Sequence, residues 1–202
     1  MKKTILLPIL SLFIVISCNI RQVKTIENLK TGVKNGTTSS LEYAAFSEKA
    51  KAEGHNEIAK LFEAISKSER VHATNHRKVL RNLGVKVEDF KPVFDVKTTI
   101  DNLEAAIDGE TYETKTMYPL FLKEARAEKN DRANKSFSWA FESELKHLVL
   151  FEKAVSALEN KTEKTLSSQY AVCPTCGNTY EQTDLEDKCA YCGTPKEKFT
   201  KI

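Results

Sequence analysis

Residues 58–83 read IAKLFEAISKSERVHATNHRKVLRNL, and their spacing decides the fold. Ile58, Phe62, Ile65, Glu69, His72, His76, Val79 and Leu83 follow one another at steps of three and four, the period of one inward helix face. Three ionisable residues thus interrupt an otherwise apolar stripe. A buried, unpaired charge is costly, so such groups are usually paired or bound to a metal. Gly84 supplies the helix stop. The pattern recurs in a stripe through Phe137, Ala140, Glu144, His147, Phe151, Ala154 and Leu158. Glu69-Arg70-Val71-His72 and Glu144-Leu145-Lys146-His147 are both Glu-x-x-His, which puts each pair on one face about one turn apart.

Two more stripes complete the set. One runs Ile26, Leu29, Val33, Gly36, Ser40, Tyr43; the other runs Ile100, Leu103, Ile107, Glu110, Met117, Phe121, with Glu113 on the same face and Pro119 expected to kink the helix. Four amphipathic helices predict a mainly α four-helix bundle. In bundles that hold two irons, two helices each give Glu-x-x-His and the other two each give a Glu. Carboxylates are hard ligands able to bridge two cations, and imidazole is a neutral donor suited to iron. Surface salt-bridging helices would also show Glu-x-x-His, but not on apolar stripes. His76 reads as a core histidine with satisfied nitrogens, His55 as a solvated loop residue, and Trp139 as packing.

Beyond Leu158 the polar stretch 159–169 has no stripe and reads as a linker. From Tyr170 the character changes: Cys173-Pro174-Thr175-Cys176-Gly177 and Cys189-Ala190-Tyr191-Cys192-Gly193 form two knuckles, a four-thiolate site for tetrahedral metal. About 30 residues bury little core, so the metal must supply folding energy. Zinc and iron share these ligands and this geometry, and spacing alone favours a zinc ribbon.

Glu69-x-x-His72, Gly109-Glu110-x-x-Glu113 with Met117-Tyr118-Pro119, and Glu144-x-x-His147 resemble, in order and spacing, the ligand motifs of rubrerythrins. The C-terminal segment is similar to their rubredoxin-like domain, including Tyr180 and Gly193-Thr194-Pro195. The resemblance implies that the bundle is ferritin-like and holds a di-iron centre in which Glu69 and Glu144 bridge. Glu110 with His147 holds one iron, and Glu113 with His72 serves the other. It implies hydrogen peroxide as substrate, reduced to water in oxidative-stress defence, with Glu69, Glu113, Glu144 and Tyr118 carrying the chemistry and Tyr43 bonding to a ligand. One iron at Cys173, Cys176, Cys189 and Cys192 returns electrons from an unidentified donor. A homodimer is implied, one subunit's four-cysteine domain serving its neighbour's di-iron site. The first helix departs from the family. Gly36 stands where a ligating glutamate is usual, and Glu42 lies about 240° around and about 9 Å along the helix, facing away. Weak binding of the second iron follows, with water or His76 in the vacancy.

At the N-terminus, Lys2 and Lys3 precede an apolar run from Ile5 to Ile16 that is too short to span a bilayer. Val15-Ile16-Ser17-Cys18 resembles a bacterial lipobox, which makes Cys18 a lipid anchor and the protein an exported envelope lipoprotein. The expected organisation is signal peptide 1–17, tether 18–25, bundle 26–160, linker 161–169 and rubredoxin-like domain 170–202. The five cysteines are then shared between lipid and metal. The 202 residues carry a formal charge of +3, and +1 without residues 1–17, which gives no electrostatic reason to expect nucleic acid as a partner. Two other readings stay open: a non-catalytic metal-binding lipoprotein with a zinc ribbon and an incomplete di-metal site, and a ferroxidase.

Overall fold

The computed structural model describes residues 22–202. The lipobox and Cys18 lie outside them. Five α-helices come first: α1 (Val23–Ala52), α2 (Asn56–Asn82), α3 (Thr99–Tyr112), α4 (Tyr118–Ala127) and α5 (Asp131–Glu159). Among the described residues no helix is long and apolar enough to cross a membrane.

Local chemistry sets the ends. Thr98 caps α3 by accepting the Asp101 N–H, and Asn130 caps α5 by accepting the Ala133 N–H at 2.9 Å. Gly54 and Gly84, both at positive φ, end α1 and α2. The Glu53 carboxylate at the end of α1 takes the backbone N–H and hydroxyl of Thr99, and Glu128 takes the N–H groups of Lys24 and Thr25. Helix ends that have no partner in their own helix are thus tied to neighbouring helices.

Between α3 and α4 the chain winds as a π-helix, Glu113–Met117, so the two make one long third helix of the bundle. The Tyr118 N–H bonds to the Glu113 carbonyl, five residues back. Pro119 explains the widening. Its nitrogen has no hydrogen, and in an α-turn its ring would strike the carbonyl four residues before it. The expected kink is a π-turn instead, and it brings Glu110, Glu113, Met117, Tyr118 and Phe121 all to the buried side.

The core divides in two. Tyr43, Phe46, Phe62, Ile65, Leu103 and Phe151 pack at one end; Leu29, Val33, Met117, Phe121 and Phe137 pack at the other. The ionisable layer lies between these apolar plugs. After α5, a 3-10 turn at Glu163–Thr165 and buried Leu166 lead into a small antiparallel sheet: β1 (Tyr170–Val172) in the centre, flanked by β2 (Thr179–Glu181) and β3 (Thr200–Lys201). His55 is not a free loop residue: its Nδ1 lies 2.6 Å from the Glu163 carboxylate, which fastens this connection to the start of α2.

Candidate metal centre

Glu69 and His72 project from α2, Glu110 from α3, Glu113 from the π-turn, and Glu144 and His147 from α5. All six are at most 3% exposed. Glu69, Glu110, Glu144 and His147 offer ligand atoms that lie within 4.8 Å of one another. His72 Nδ1 lies 2.9 Å from Glu144 and 3.3 Å from Glu69, and His147 Nδ1 lies 2.7 Å from Glu144. The chain therefore brings five of the expected ligands together, and the sixth, Glu113, is buried on the π-turn against Asn35.

These atoms crowd together at ion-pair distance but are not aligned as hydrogen bonds. Both oxygens of Glu69 and of Glu144, one each of Glu110 and Glu113, and Nδ1 of both histidines are buried with no aligned hydrogen-bond partner. Buried polar atoms are ordinarily satisfied, so a cluster of orphans converging on one volume calls for a cation. The charge agrees: four carboxylates with two neutral imidazoles are balanced by two divalent ions. Without such ions the layer titrates abnormally. Burial, then Glu144, pushes the Glu110 and Glu113 carboxyls well above their usual range. Glu69 is held below its usual range: burial opposes ionisation there, but His72 and His147 outweigh it. Burial works against protonating His72, yet Glu144 and Glu69 raise it well above an ordinary imidazole. A metal would replace those protons.

The outer nitrogens of the histidines are held separately. His147 Nε2 lies 3.1 Å from Thr179 Oγ1 and 3.2 Å from Ser143 Oγ, which leaves Nδ1 for the metal layer. Tyr43 donates to Glu110 at 3.0 Å. Tyr118 does not bond to a ligand. Its hydroxyl lies 3.3 Å from His76 Nε2, and His76 Nδ1 lies 2.7 Å from Ser136 Oγ. His76 is thus a satisfied core histidine with both nitrogens engaged by hydroxyls, and does not fill a ligand vacancy.

Gly36 also differs from expectation, because it does not look into the layer. A Cβ there would meet the Glu69 carbonyl oxygen at 3.1 Å and Ala73 at 3.4 Å, so Gly36 marks a close approach of α1 to α2. Besides Tyr43, the α1 residue that reaches a ligand is Asn35, whose Nδ2 donates to Glu113 Oε1 at 2.5 Å. Sequence reading missed it; the Asn-Gly order at 35–36 is the only signal that could have pointed to it.

The four cysteines are unoxidised and close: Cys173 and Cys192 sulfurs are 3.4 Å apart, as are those of Cys176 and Cys189. That separation is too long for a disulfide and suits thiolates around one tetrahedral ion. Tyr180 donates to Cys189 at 3.4 Å, and Lys146 lies over the rings of Tyr180 and Tyr191. Trp139 packs beside this cluster under Lys135.

The first knuckle sits directly on the metal layer of its own chain. The Gly177 carbonyl accepts from Ser68 Oγ at 2.5 Å and Ser143 Oγ at 3.3 Å, and Asn75 donates to the Thr175 carbonyl at 2.9 Å. Gly177 has φ +89°, and any Cβ on it would overlap the His72 ring. Service of a neighbour's site, as the resemblance implied, is therefore not required by the geometry: the contact exists within one chain.

Comparison with known proteins agrees with this architecture. The rubrerythrin family profile matches residues 27–155. Rubrerythrin-2 of Clostridium acetobutylicum is 32% identical over 182 residues, covering 90% of this chain and 98% of that protein. Nigerythrin of Nitratidesulfovibrio vulgaris is 31% identical over 179 residues, 87% of this chain and 85% of its own length. A solved mixed-valence nigerythrin superposes with TM-score 0.79 at 30% identity, covering 88% of this chain and 86% of that one.

Proposed function

Because the chain belongs to the rubrerythrin family, we propose that it is a non-haem di-iron peroxidase reducing hydrogen peroxide to water, with electrons resupplied through an iron at its four cysteines. The observation that carries this is the direct seating of the Cys176-Gly177 knuckle on the His72 and His147 side of the metal layer.

Two ferrous ions held by Glu69, His72, Glu110, Glu113, Glu144 and His147 would each supply one electron to the balanced change H2O2 + 2e− + 2H+ → 2 H2O. The protein's part is to hold and insulate. Apolar plugs above and below exclude water, Ser143 and Thr179 fix the His147 ring, and Tyr43 steadies Glu110. The four-cysteine domain stands one peptide away from the His72 ring, through Cys176 and Gly177. That contact favours a one-electron iron over structural zinc, since zinc has no redox chemistry to use it. It also disfavours a ferroxidase, because ferrous substrate brings its own electrons. Nigerythrin has been solved in an all-ferrous, fully reduced state, in line with iron chemistry on this fold.

We further propose that the protein is exported and anchored through Cys18. Cys189→Ser tests the relay. Oxidation of the di-iron site by a single dose of peroxide should persist, while repeated turnover with a donor unable to reduce that site directly should be lost. Normal repeated turnover in this variant would refute the relay.

A further inference from the structure

We propose that Asn35 makes the two metal positions of the bundle unequal by holding Glu113. The inference rests on the di-iron reading but not on peroxide as substrate.

The first position is complete. Glu69, Glu110, Glu144 and His147 lie within 4.8 Å of one another, and each has at least one buried ligand atom without a hydrogen-bond partner. A cation can enter there through those free atoms while Glu110 Oε1 keeps its bond from Tyr43. The second position depends on His72 and Glu113. His72 Nδ1 is similarly available, 2.9 Å from Glu144 and 3.3 Å from Glu69. Glu113 lies outside that cluster and is held more closely than Glu110: its Oε1 accepts from Asn35 Nδ2 at 2.5 Å, against 3.0 Å for Tyr43 on Glu110, and each carboxylate keeps Oε2 free.

The contact follows from helix phase. Gly36 lies against the Glu69 carbonyl and Ala73, where α1 and α2 touch. Asn35, one residue earlier, is turned by about 100° and reaches the π-turn that carries Glu113. An amide nitrogen donates but has no lone pair for a metal. It can therefore hold a carboxylate but cannot replace one. A hydrogen bond to a charged acceptor is stronger than an ordinary one, and this short one holds Glu113 toward α1, so a second cation that takes both carboxylate oxygens must draw them away from Asn35. Metals should load in order: the first at Glu69, Glu110, Glu144 and His147, the second as Glu113 leaves Asn35.

Anaerobic titration of the full chain with Co2+ tests this. Thiolate charge-transfer bands identify the four-cysteine site and serve as an internal control. In the parent, one bundle Co2+ should bind at least about tenfold more tightly than the other, the scale of one charge-assisted hydrogen bond. Asn35→Leu, which keeps the volume and removes the donor, should tighten the second site by about tenfold and leave the first unchanged. Asn35→Asp, a variant of the same shape that is sensitive to the same question, should tighten it further by adding a ligand. Equal affinities in the parent, or a second site that is unchanged or weaker in both variants, would overturn the proposal. No bundle cobalt in any protein would sink the metal centre itself. Failure with peroxide alone would leave the titration result standing, so the two readings fail separately.

Discussion

His76 shows how a buried residue on the ligand stripe can be silent toward the metal. Both its nitrogens are engaged, by Ser136 and Tyr118, and burial, then His72, pushes its pKa down to about 3. Its folded pKa lies below the unfolded value near 6.5, so the unfolded chain binds the extra proton first. Stability is full above about 6.5 and falls as the pH drops toward 3. His76→Phe should flatten that loss by a few kcal/mol at most, on the order of the linkage limit, while metal ejection on acidification stays common to both proteins. Parallel pH-dependent denaturation curves for the two would remove this assignment. Gly36 makes a similar point. Gly36→Glu gains about 1 kcal/mol in helix propensity, but overpacking against the Glu69 carbonyl costs about 1–3 kcal/mol, so the variant should be less stable and bind no more metal. The Glu-x-x-His pairs were legible because their partners are one turn apart in sequence. Asn35 was not, because its partner lies 78 residues away and the contact depends on the phase of two helices.

At the scale of elements, four periodic stripes were enough for a bundle, and two knuckles were enough for a thiolate site. The π-turn was legible only as an expected kink at Pro119, since a missing N–H can be accommodated by bending or by widening, and packing chooses. Docking of the knuckle was not legible. It is made by buried Ser68, Ser143 and Thr179, small polar residues that read as incidental in sequence. Gly177 carries the contact through a positive φ and the absence of a Cβ. Gly177→Ala should lower stability by roughly 1–3 kcal/mol through strain and overlap with His72. It should also slow electron delivery to the bundle more than it slows reduction of the four-cysteine iron. Equal slowing of the two steps would indicate a purely structural role.

For the whole molecule, the four-cysteine knuckle and the Glu/His layer touch within one chain, and the proposed relay would run through that contact. Mixing chains that carry Cys189→Ser with chains that carry Glu144→Ala therefore should not restore repeated turnover, even if the chains associate. Recovery would mean that four-cysteine domains serve neighbouring chains. Cys18→Ala should release the protein from membranes with unchanged metal content, since neither metal site includes Cys18; retained membrane association would remove the anchor. The most direct measurement is anaerobic reduction of the iron-loaded protein, followed by stoichiometric hydrogen peroxide while both iron centres are monitored. One equivalent should take two electrons and oxidise the bundle irons first, with the four-cysteine iron then losing its electron to them. Peroxide that leaves both centres reduced would contradict the account.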